Sequence, residues 1–152
     1  MKAYKQTFEI IDYARLFHKK LNDFYEQLHE KSEKQRVKML LEYLSKHEKH
    51  REETLANYEK EASEKVMDTW FKYVPGNISS ECLEKMVIKP DMSVDEVVDS
   101  ALLMNNCLIK LYKGLIEETK IDEVKEVFIS LLKRIEKEER DLVRDATRLK
   151  DI

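Results

Sequence analysis

The stretch Tyr43-Leu-Ser-Lys-His47-Glu-Lys-His50-Arg-Glu-Glu-Thr-Leu55 decides the fold, because it lies in the middle of a long helical pattern. Apolar residues recur on both sides of it at intervals of three and four, which predicts an amphipathic helix. Two histidines three residues apart interrupt the apolar stripe, so we expect this helix to carry a polar layer into a core. The predicted inner face consists of Val37, Leu40, Leu41, Leu44, His47, Arg51, Leu55 and Tyr58.

The preceding segment predicts a helix that packs against this one. Thr7 is the expected N-cap, and the helix should run to about Lys31. Its apolar positions leave one gap of seven residues, and His18 fills the middle of that gap, so His18 is expected to face the same core. A capping box at Ser32-Glu-Lys-Gln35 predicts a short connection between the helices. The inner positions are Phe8, Ile11, Ala14, Leu21, Tyr25 and Leu28.

The chain is then predicted to cross over. One unbroken helix from Ser32 to Val74 would extend about 60 Å, so a break is expected between residues 62 and 65. The crossover covers about 62–92, with little or no sheet. Its aromatic residues are expected to pack against the end of the helices or a partner subunit, and ligand stacking is the alternative. Its markers are Trp70, Phe71 and Tyr73, a turn at Pro75-Gly76-Asn77, a short helix from Ser80 to Val87, and a stop at Lys89-Pro90-Asp91.

Two more helices complete the pattern. Ser93-Val-Asp-Glu96 is a second capping box, and Thr119-Lys-Ile-Asp122 is expected to cap the last helix. Residues 1–152 therefore predict a single all-α domain, a four-helix bundle made of two hairpins joined by a long crossover. The inner positions are Val94, Val97, Val98, Ala101, Met104, Leu108, Tyr112 and Leu115, then Val124, Phe128, Leu131, Ile135, Leu142 and Leu149.

The two hairpins resemble each other in sequence. A shift of 87 residues aligns 9–55 with 96–142 without a gap, and 14 of the 47 pairs are identical. The identities include Tyr25 with Tyr112, and Ser32 falls on Thr119. Heptad-like composition would align leucines but not also tyrosines and caps. We therefore expect two copies of one hairpin related by an approximate two-fold axis.

Several motifs of the first hairpin resemble those of the rubrerythrin and ferritin-like superfamily. They are Ala14-x-Leu-x-His18, Phe24-Tyr25, Val37-Lys38 and the His47-Glu-Lys-His50 box. The resemblance covers nearly the whole chain and implies a ferritin-like bundle. In that family each hairpin supplies a glutamate seven residues before the tyrosine and a Glu-x-x-His pair on the next helix, which together hold a di-iron centre.

The resemblance implies six ligand positions in this chain, and only His50 retains the family residue. A di-iron site needs carboxylates, because hard cations prefer oxygen ligands and negative charge. The chain is therefore expected to be a degenerate member without the family's oxidase, peroxidase or iron-storage activities. The six positions are His18, His47 and His50 in the first copy, and Asn105, Arg134 and Lys137 in the second.

Two interpretations of the histidines remain open. In one, His18, His47 and His50 bind a single transition metal, Zn, Fe, Cu or Ni. In the other, the polar layer is vestigial, with imidazoles bonded to Asn105, to the tyrosines or to water. Tyr25 and Tyr112 are expected beside the layer as core aromatics with a polar handle.

The acidic neighbours of the histidine box are expected on the outer surface. Periodicity places Glu48 and Glu138 on solvated faces. The alternative is that one of them turns inward to pair with Arg134 or Lys137.

Composition narrows the classes of function. A net charge of −3 with both signs interspersed disfavours nucleic acid, and no apolar run is long enough to span a membrane. The N-terminus has no apolar signal core. Cys82 and Cys107 form no Cys-x-x-Cys motif, so we expect free thiols and a cytoplasmic protein without a disulfide.

We therefore expect a non-catalytic helical module that binds a protein partner or a small ligand, without a cofactor. It is expected to pair with a second copy through outer helix faces. The alternative is a metal-binding protein that uses the histidine cluster for metal carriage or redox chemistry.

Overall fold

The computed structural model of this chain describes residues 2–75, 82–87, 89 and 91–150. These residues are mainly helical, as the predicted all-α class requires, with one small two-stranded sheet added. No helix among them is long and apolar enough to cross a membrane. The elements are β1 (Lys2–Gln6), α1 (Thr7–Lys31), α2 (Gln35–Glu61), α3 (Glu64–Met67), β2 (Trp70–Pro75), α4 (Val94–Glu118) and α5 (Asp122–Lys150).

The four long helices form two antiparallel pairs with a shared core. α1 packs along α2, and α4 packs along α5. All four contribute buried apolar side chains to one cluster. Their bounds follow the 87-residue shift found in the sequence, because α1 and α4 span 7–31 and 94–118, and α2 and α5 begin at 35 and 122.

The helix caps match the prediction in one case and differ in three. Thr119, predicted to cap α5, is instead the C-cap of α4, since α5 begins only at Asp122. Ser93 and Glu96 form the expected capping box at the start of α4. Gln6, rather than Thr7, is the N-cap of α1. The capping box predicted at Ser32 is wrong: Lys34 is the N-cap of α2, and the buried Ser32 hydroxyl has no hydrogen-bond partner among the described residues. Ser32 lies two residues too early, because it ends α1 as its C-cap.

The inner face of α1 is wider than predicted. Phe8 was expected in the core but is 37% exposed. Ile10, Phe17 and Phe24 are buried instead, alongside the predicted Ile11, Ala14, Leu21, Tyr25 and Leu28. The helix is covered by α2 on one side and by the other hairpin on the next, so its apolar stripe is broader than a single seam.

The sheet pairs the N-terminus with the crossover, which the sequence analysis did not predict. β1 and β2 are antiparallel, with Gln6 opposite Trp70. The Thr7 N–H donates to the Thr69 carbonyl at 2.9 Å, so the sheet continues into the start of α1. Such a pairing joins residues more than 60 apart, and local periodicity carries no signal for it.

The crossover aromatics behave differently from one another. Phe71 is buried and packs edge-on against Phe128, with ring centroids 5.8 Å apart, as expected for packing against the helices. Trp70 is 61% exposed. The side chain of Tyr73 lies outside the described part of the structure.

The remaining crossover predictions are covered only in part. α2 ends at Glu61, one residue before the break that was expected between residues 62 and 65. Residues 82–84 form one helical turn, which lies within the short helix predicted from Ser80 to Val87. Gly76 and Asn77 of the predicted turn and Pro90 of the predicted stop lie outside the described residues.

The prediction of two free thiols is wrong, because Cys82 and Cys107 form a disulfide. Their Cα atoms are 6.5 Å apart, although 25 residues separate them in sequence. The crossover folds back along α4 and brings the two side chains together. Isolated positions in a sequence say nothing about such proximity.

Candidate functional site

The four long helices enclose a central layer of five buried or nearly buried polar side chains. α2 contributes two of them, and each of the other long helices contributes one. The exposed fractions of Glu48 and Arg51 are 3% and 8%, values rare for charged groups unless they are paired. The central layer consists of His18, Glu48, Arg51, Asn105 and Glu138.

Arg51 is the centre of this layer. Its Nη1 donates to Glu48 Oε1 at 3.0 Å and to Asn105 Oδ1 at 2.9 Å. Its Nε donates to the Glu138 carboxylate. The planar guanidinium thus contacts three acceptors from three helices, a geometry that lysine could not reproduce.

Glu48 bridges the guanidinium and an imidazole. His18 Nδ1 lies 2.5 Å from Glu48 Oε2. Burial would raise the pKa of Glu48, but Arg51 and His18 together hold it below the ordinary value. Glu48 is therefore a carboxylate, and the Nδ1 proton of His18 is donated to it.

The same balance keeps Arg51 charged inside the core. Burial lowers its pKa, but the Glu48 and Glu138 carboxylates outweigh this effect and raise the pKa overall. Glu48 and Arg51 lie three residues apart, on one face of α2. The layer contains one guanidinium and two glutamates, so it is close to neutral: −1 with His18 uncharged, or 0 with His18 protonated.

The layer follows the 87-residue shift. Arg51 and Glu138 are separated by 87 residues and bond directly to each other. His18 corresponds in the same way to Asn105. Two positions related by a two-fold operation can touch each other only close to its axis. The Arg51–Glu138 pair therefore marks where that axis would run.

Two small cavities flank Arg51, one of about 10 Å³ and one of about 20 Å³. Each has room for about one water molecule and no larger ligand. Most of their lining residues correspond under the 87-residue shift. The first contains Tyr25, Leu44, His47, Glu48, Arg51, Asn105, Glu138 and Leu142, and the second Tyr112, Leu131, Arg134, Ile135, Glu138, His18, Arg51 and Leu55.

The two tyrosines lie on opposite sides of the layer, as expected for core aromatics. Tyr25 lines the smaller cavity and Tyr112 the larger. Both are fully buried, and burial raises the pKa of each phenol well above its ordinary range. The hydroxyl groups are therefore neutral and able to donate or accept a hydrogen bond.

Three of the six predicted layer residues lie elsewhere. His50, Arg134 and Lys137 are exposed, and Lys137 pairs with Asp141 at 3.3 Å. One step along a helix rotates a side chain by about 100°, and the histidine box was read one residue too early on both α2 and α5. His50 and Lys137 therefore lie on the outer surface, and Arg134 is exposed at the edge of the larger cavity. The core positions are Glu48 and Arg51, with Ile135 and Glu138 as their counterparts.

His47 occupies an intermediate position. Its ring lies 4.3 Å from that of Tyr43, and it lines the smaller cavity. Partial burial lowers the pKa of His47, although the Glu138 carboxylate opposes that shift. At neutral pH it is uncharged, beside the layer rather than within it.

The expectation that Glu48 and Glu138 lie on solvated faces is wrong, and the alternative that they turn inward is correct, although their partners differ from those expected. Glu48 and Glu138 both face the core, but they pair with Arg51 and His18, not with Arg134 or Lys137. The predicted inner face of α2 already contained Arg51. The signal that could have completed the site was the seven-residue gap between Ile135 and Leu142 on α5, which brackets Glu138.

The residues present do not fit a di-iron centre. Two carboxylates and an amide contact the Arg51 guanidinium, which already supplies the positive charge that metal ions would bring, and the His18 imidazole bonds to one of those carboxylates. The described residues also contain no cluster of three or more histidine, cysteine, aspartate or glutamate side chains that could hold a metal. The arrangement forms a closed ion-pair network.

Comparisons of this chain with protein-family models, with curated proteins and with solved structures found no match. The geometry of the central layer therefore carries the functional argument.

Proposed function

We propose that this protein is a ferritin-like four-helix bundle without a metal site, which acts as a non-catalytic module and binds its partner through its outer surface. The observation that carries the proposal is the position of Arg51. It contacts Glu48, Asn105 and Glu138, which supports the proposal that its guanidinium takes the place of a metal centre between the hairpins.

Three features support the ferritin-like part of the proposal. The long helices share the bounds of the 87-residue shift, the layer residues correspond under it, and two tyrosines flank the layer. Under this proposal the six positions that correspond to the family's ligands are His18, Glu48 and Arg51 in one hairpin and Asn105, Ile135 and Glu138 in the other. This assignment replaces the one read from the histidine box.

The sizes of the flanking cavities favour binding at the surface. They are too small for a ligand larger than water, so the small-ligand alternative has little room in the core. Large apolar side chains exposed on α1, α2 and α5, such as Leu16, Met39 and Val143, give the outer faces an apolar component. Pairing of two copies through such faces is part of the proposal, and analytical ultracentrifugation tests it.

Nucleic acid is not proposed as a partner, because the net charge of the chain is −3. The proposal also keeps the cytoplasm as the location. A disulfide in that compartment is usually transient or redox-sensing, so the Cys82–Cys107 bond is expected to open and close there.

Elemental analysis of untagged protein tests the loss of the metal site. Protein loaded anaerobically with ferrous iron or zinc and then desalted should retain well under one equivalent per chain, with no peroxidase or iron-oxidising activity above buffer. The unmodified chain should melt at the same temperature with and without a strong chelator.

Two outcomes would contradict parts of the proposed function. Stoichiometric metal that is lost in a His18→Ala variant, and retained in a His29→Ala variant as the matched surface control, would favour the metal-binding alternative. Catalytic turnover that survives complete removal of metal would refute the non-catalytic part and leave the fold proposal intact.

A further inference from the structure

The crossover segment 82–87 covers the outer face of α4, and the disulfide joins it to that face. Cys82 lies in the helical turn of this segment, and Cys107 lies on α4. Cys82 is buried, while Leu83 and Met86 are partly buried against the core.

Apart from the disulfide and the apolar packing of Cys82, Leu83 and Met86, the described contacts of this segment are few. Among the described residues its backbone hydrogen bonds stay local, from Lys85 N to Cys82 O and from Met86 N to Leu83 O, each 3.1 Å. Beyond the segment, Lys89 pairs with Glu96 of α4 at 3.5 Å, and this pair is exposed. Exposed pairs of this kind contribute little to stability.

The first hairpin shows that the helical core does not need such a cover. The position of α1 that corresponds to Cys107 is Lys20, which is exposed to solvent. The same helix face is therefore bare in one hairpin and covered in the other. The covering segment is therefore a feature of the second hairpin that has no counterpart at Lys20 of the first.

We propose that the Cys82–Cys107 disulfide is a redox-controlled latch: its reduction releases segment 82–87 from α4 while the four long helices stay folded. The released segment uncovers the apolar surface of α4 around Cys107, where Leu103 is already 38% exposed. The central layer contains no residue of the segment and is bonded within the four long helices, so the helices keep it when the segment leaves.

The chemistry is a two-step thiol–disulfide exchange with a dithiol reductant. A reductant thiolate attacks one Sγ, the S–S bond breaks, and the released cysteine sulfur takes a proton. The second thiol of the reductant then resolves the mixed disulfide. The chain gains two electrons and two protons, and the dithiol becomes a disulfide.

Hydrogen exchange by mass spectrometry on the full chain, with and without dithiothreitol, tests the latch. Peptides that cover 82–87 should exchange at least about tenfold faster after reduction, because local opening replaces a covalent constraint. Peptides from α1 and α2 should stay within about twofold of the oxidised protein. The intact mass should rise by two hydrogens, and two thiols should become reactive without denaturant.

A matched variant separates release from misfolding. Cys82→Ser with Cys107→Lys installs on α4 the residue that α1 carries at the corresponding position. This variant should keep the helical circular dichroism of the natural chain, should exchange at 82–87 like the reduced protein, and should not respond to dithiothreitol.

Three results would overturn the latch. Unchanged exchange at 82–87 after reduction would show that packing alone holds the segment. Faster exchange throughout α1 and α2 would show that the disulfide stabilises the whole fold and not only the segment. Two free thiols that persist in the presence of oxidised glutathione would show that the bond does not form.

Discussion

The two hairpins have the same backbone plan but carry different charges at their centre. The first supplies His18, Glu48 and Arg51, and the second supplies Asn105 and Glu138, with Ile135 in the place of Glu48. The cation of one hairpin is thus neutralised by a carboxylate of the other. Each hairpin alone would bury charge without its full set of partners, so the layer links the stability of the two halves.

The largest expected effect comes from removing the shared cation. Arg51→Met leaves the Glu48 and Glu138 carboxylates buried without their partner, and should lower the free energy of unfolding by about 3–5 kcal/mol. Urea unfolding followed by circular dichroism measures the loss. Arg140→Met, at an exposed position on α5 away from the two cavities, is the control and should change stability by less than about 0.5 kcal/mol.

The pH dependence of the same variant sharpens this result. In the natural chain the pKa of Glu48 is lowered, so its stabilising contribution is present at neutral pH and is lost as the pH falls through and below the ordinary carboxyl range. Without Arg51, burial should raise the pKa of Glu48 above its ordinary value. Protonation of Glu48 then stabilises the fold, so its contribution to the free energy of unfolding should increase as the pH falls. An Arg51→Met variant that loses stability on acidification as the natural chain does would contradict the central role of the guanidinium.

A double-mutant cycle measures how strongly the two hairpins are coupled. Glu138→Met alone leaves Arg51 with one carboxylate, and the double variant Arg51→Met with Glu138→Met removes both sides of the cross-hairpin pair. The double variant should be more stable than the sum of the single losses predicts, by up to about 3 kcal/mol. Additive losses would mean that the pair contributes no coupling, and that each residue acts through its own hairpin.

Exchanging the layer between the hairpins tests their equivalence more directly. The exchange needs six substitutions: His18→Asn, Glu48→Ile, Arg51→Glu, Asn105→His, Ile135→Glu and Glu138→Arg. If the hairpins are equivalent scaffolds, the exchanged protein should fold and lose no more than about 2 kcal/mol, less than the single Arg51→Met change. Thermal and urea unfolding compare the two. If the variant with all six substitutions is less stable than Arg51→Met, the two hairpins are not equivalent scaffolds.

The smallest expected effect concerns a group that only the first hairpin has. Glu59 of α2 lies against Asp12 and Arg15 of α1, and corresponds to Ala146 in the second hairpin. Burial and the Asp12 carboxyl raise the pKa of Glu59 from 4.5 to about 7, against the opposing Arg15. A raised pKa means that protonated Glu59 stabilises the fold below pH 4.5, and that this contribution is lost as the pH rises through about 7.

Glu59→Gln should remove that loss and make the variant more stable than the natural chain at pH 8, by about 1 kcal/mol because the carboxyl is partly solvated. Urea unfolding at pH 5 and pH 8 measures the difference between the two proteins. Glu53→Gln, exposed on the same helix, is the control and should follow the natural chain at both pH values.

Periodicity predicted the four long helices and most of the core, because burial repeats along a helix at a fixed interval. It also predicted Arg51, Tyr25, Tyr112 and His18 as inward positions. The ligand assignment failed because residue type was given more weight than helical phase. His47 and His50 were chosen because imidazoles bind metals, and Arg134 and Lys137 followed from them through the 87-residue shift. Arg51 and Ile135 held the inward positions in the same pattern.

Two features lay beyond any local pattern. The pairing of β1 with β2 and the Cys82–Cys107 bond both join segments that meet only after the helices have packed. Neither contact has a sequence period. The run Trp70-Phe-Lys-Tyr-Val74 has aromatic and β-branched residues typical of a strand, and this was the one available indication.

The Arg51–Glu138 pair also limits how the molecule could be simplified. In a dimer of two identical hairpins, the residue on the symmetry axis would meet a copy of itself, so a cation would face a cation or a carboxylate a carboxylate. An oppositely charged pair at that point requires two different residues in equivalent positions. The linkage of both hairpins in one polypeptide is therefore what allows the core to be held by a heterotypic ion pair, and it makes the two halves no longer interchangeable one residue at a time.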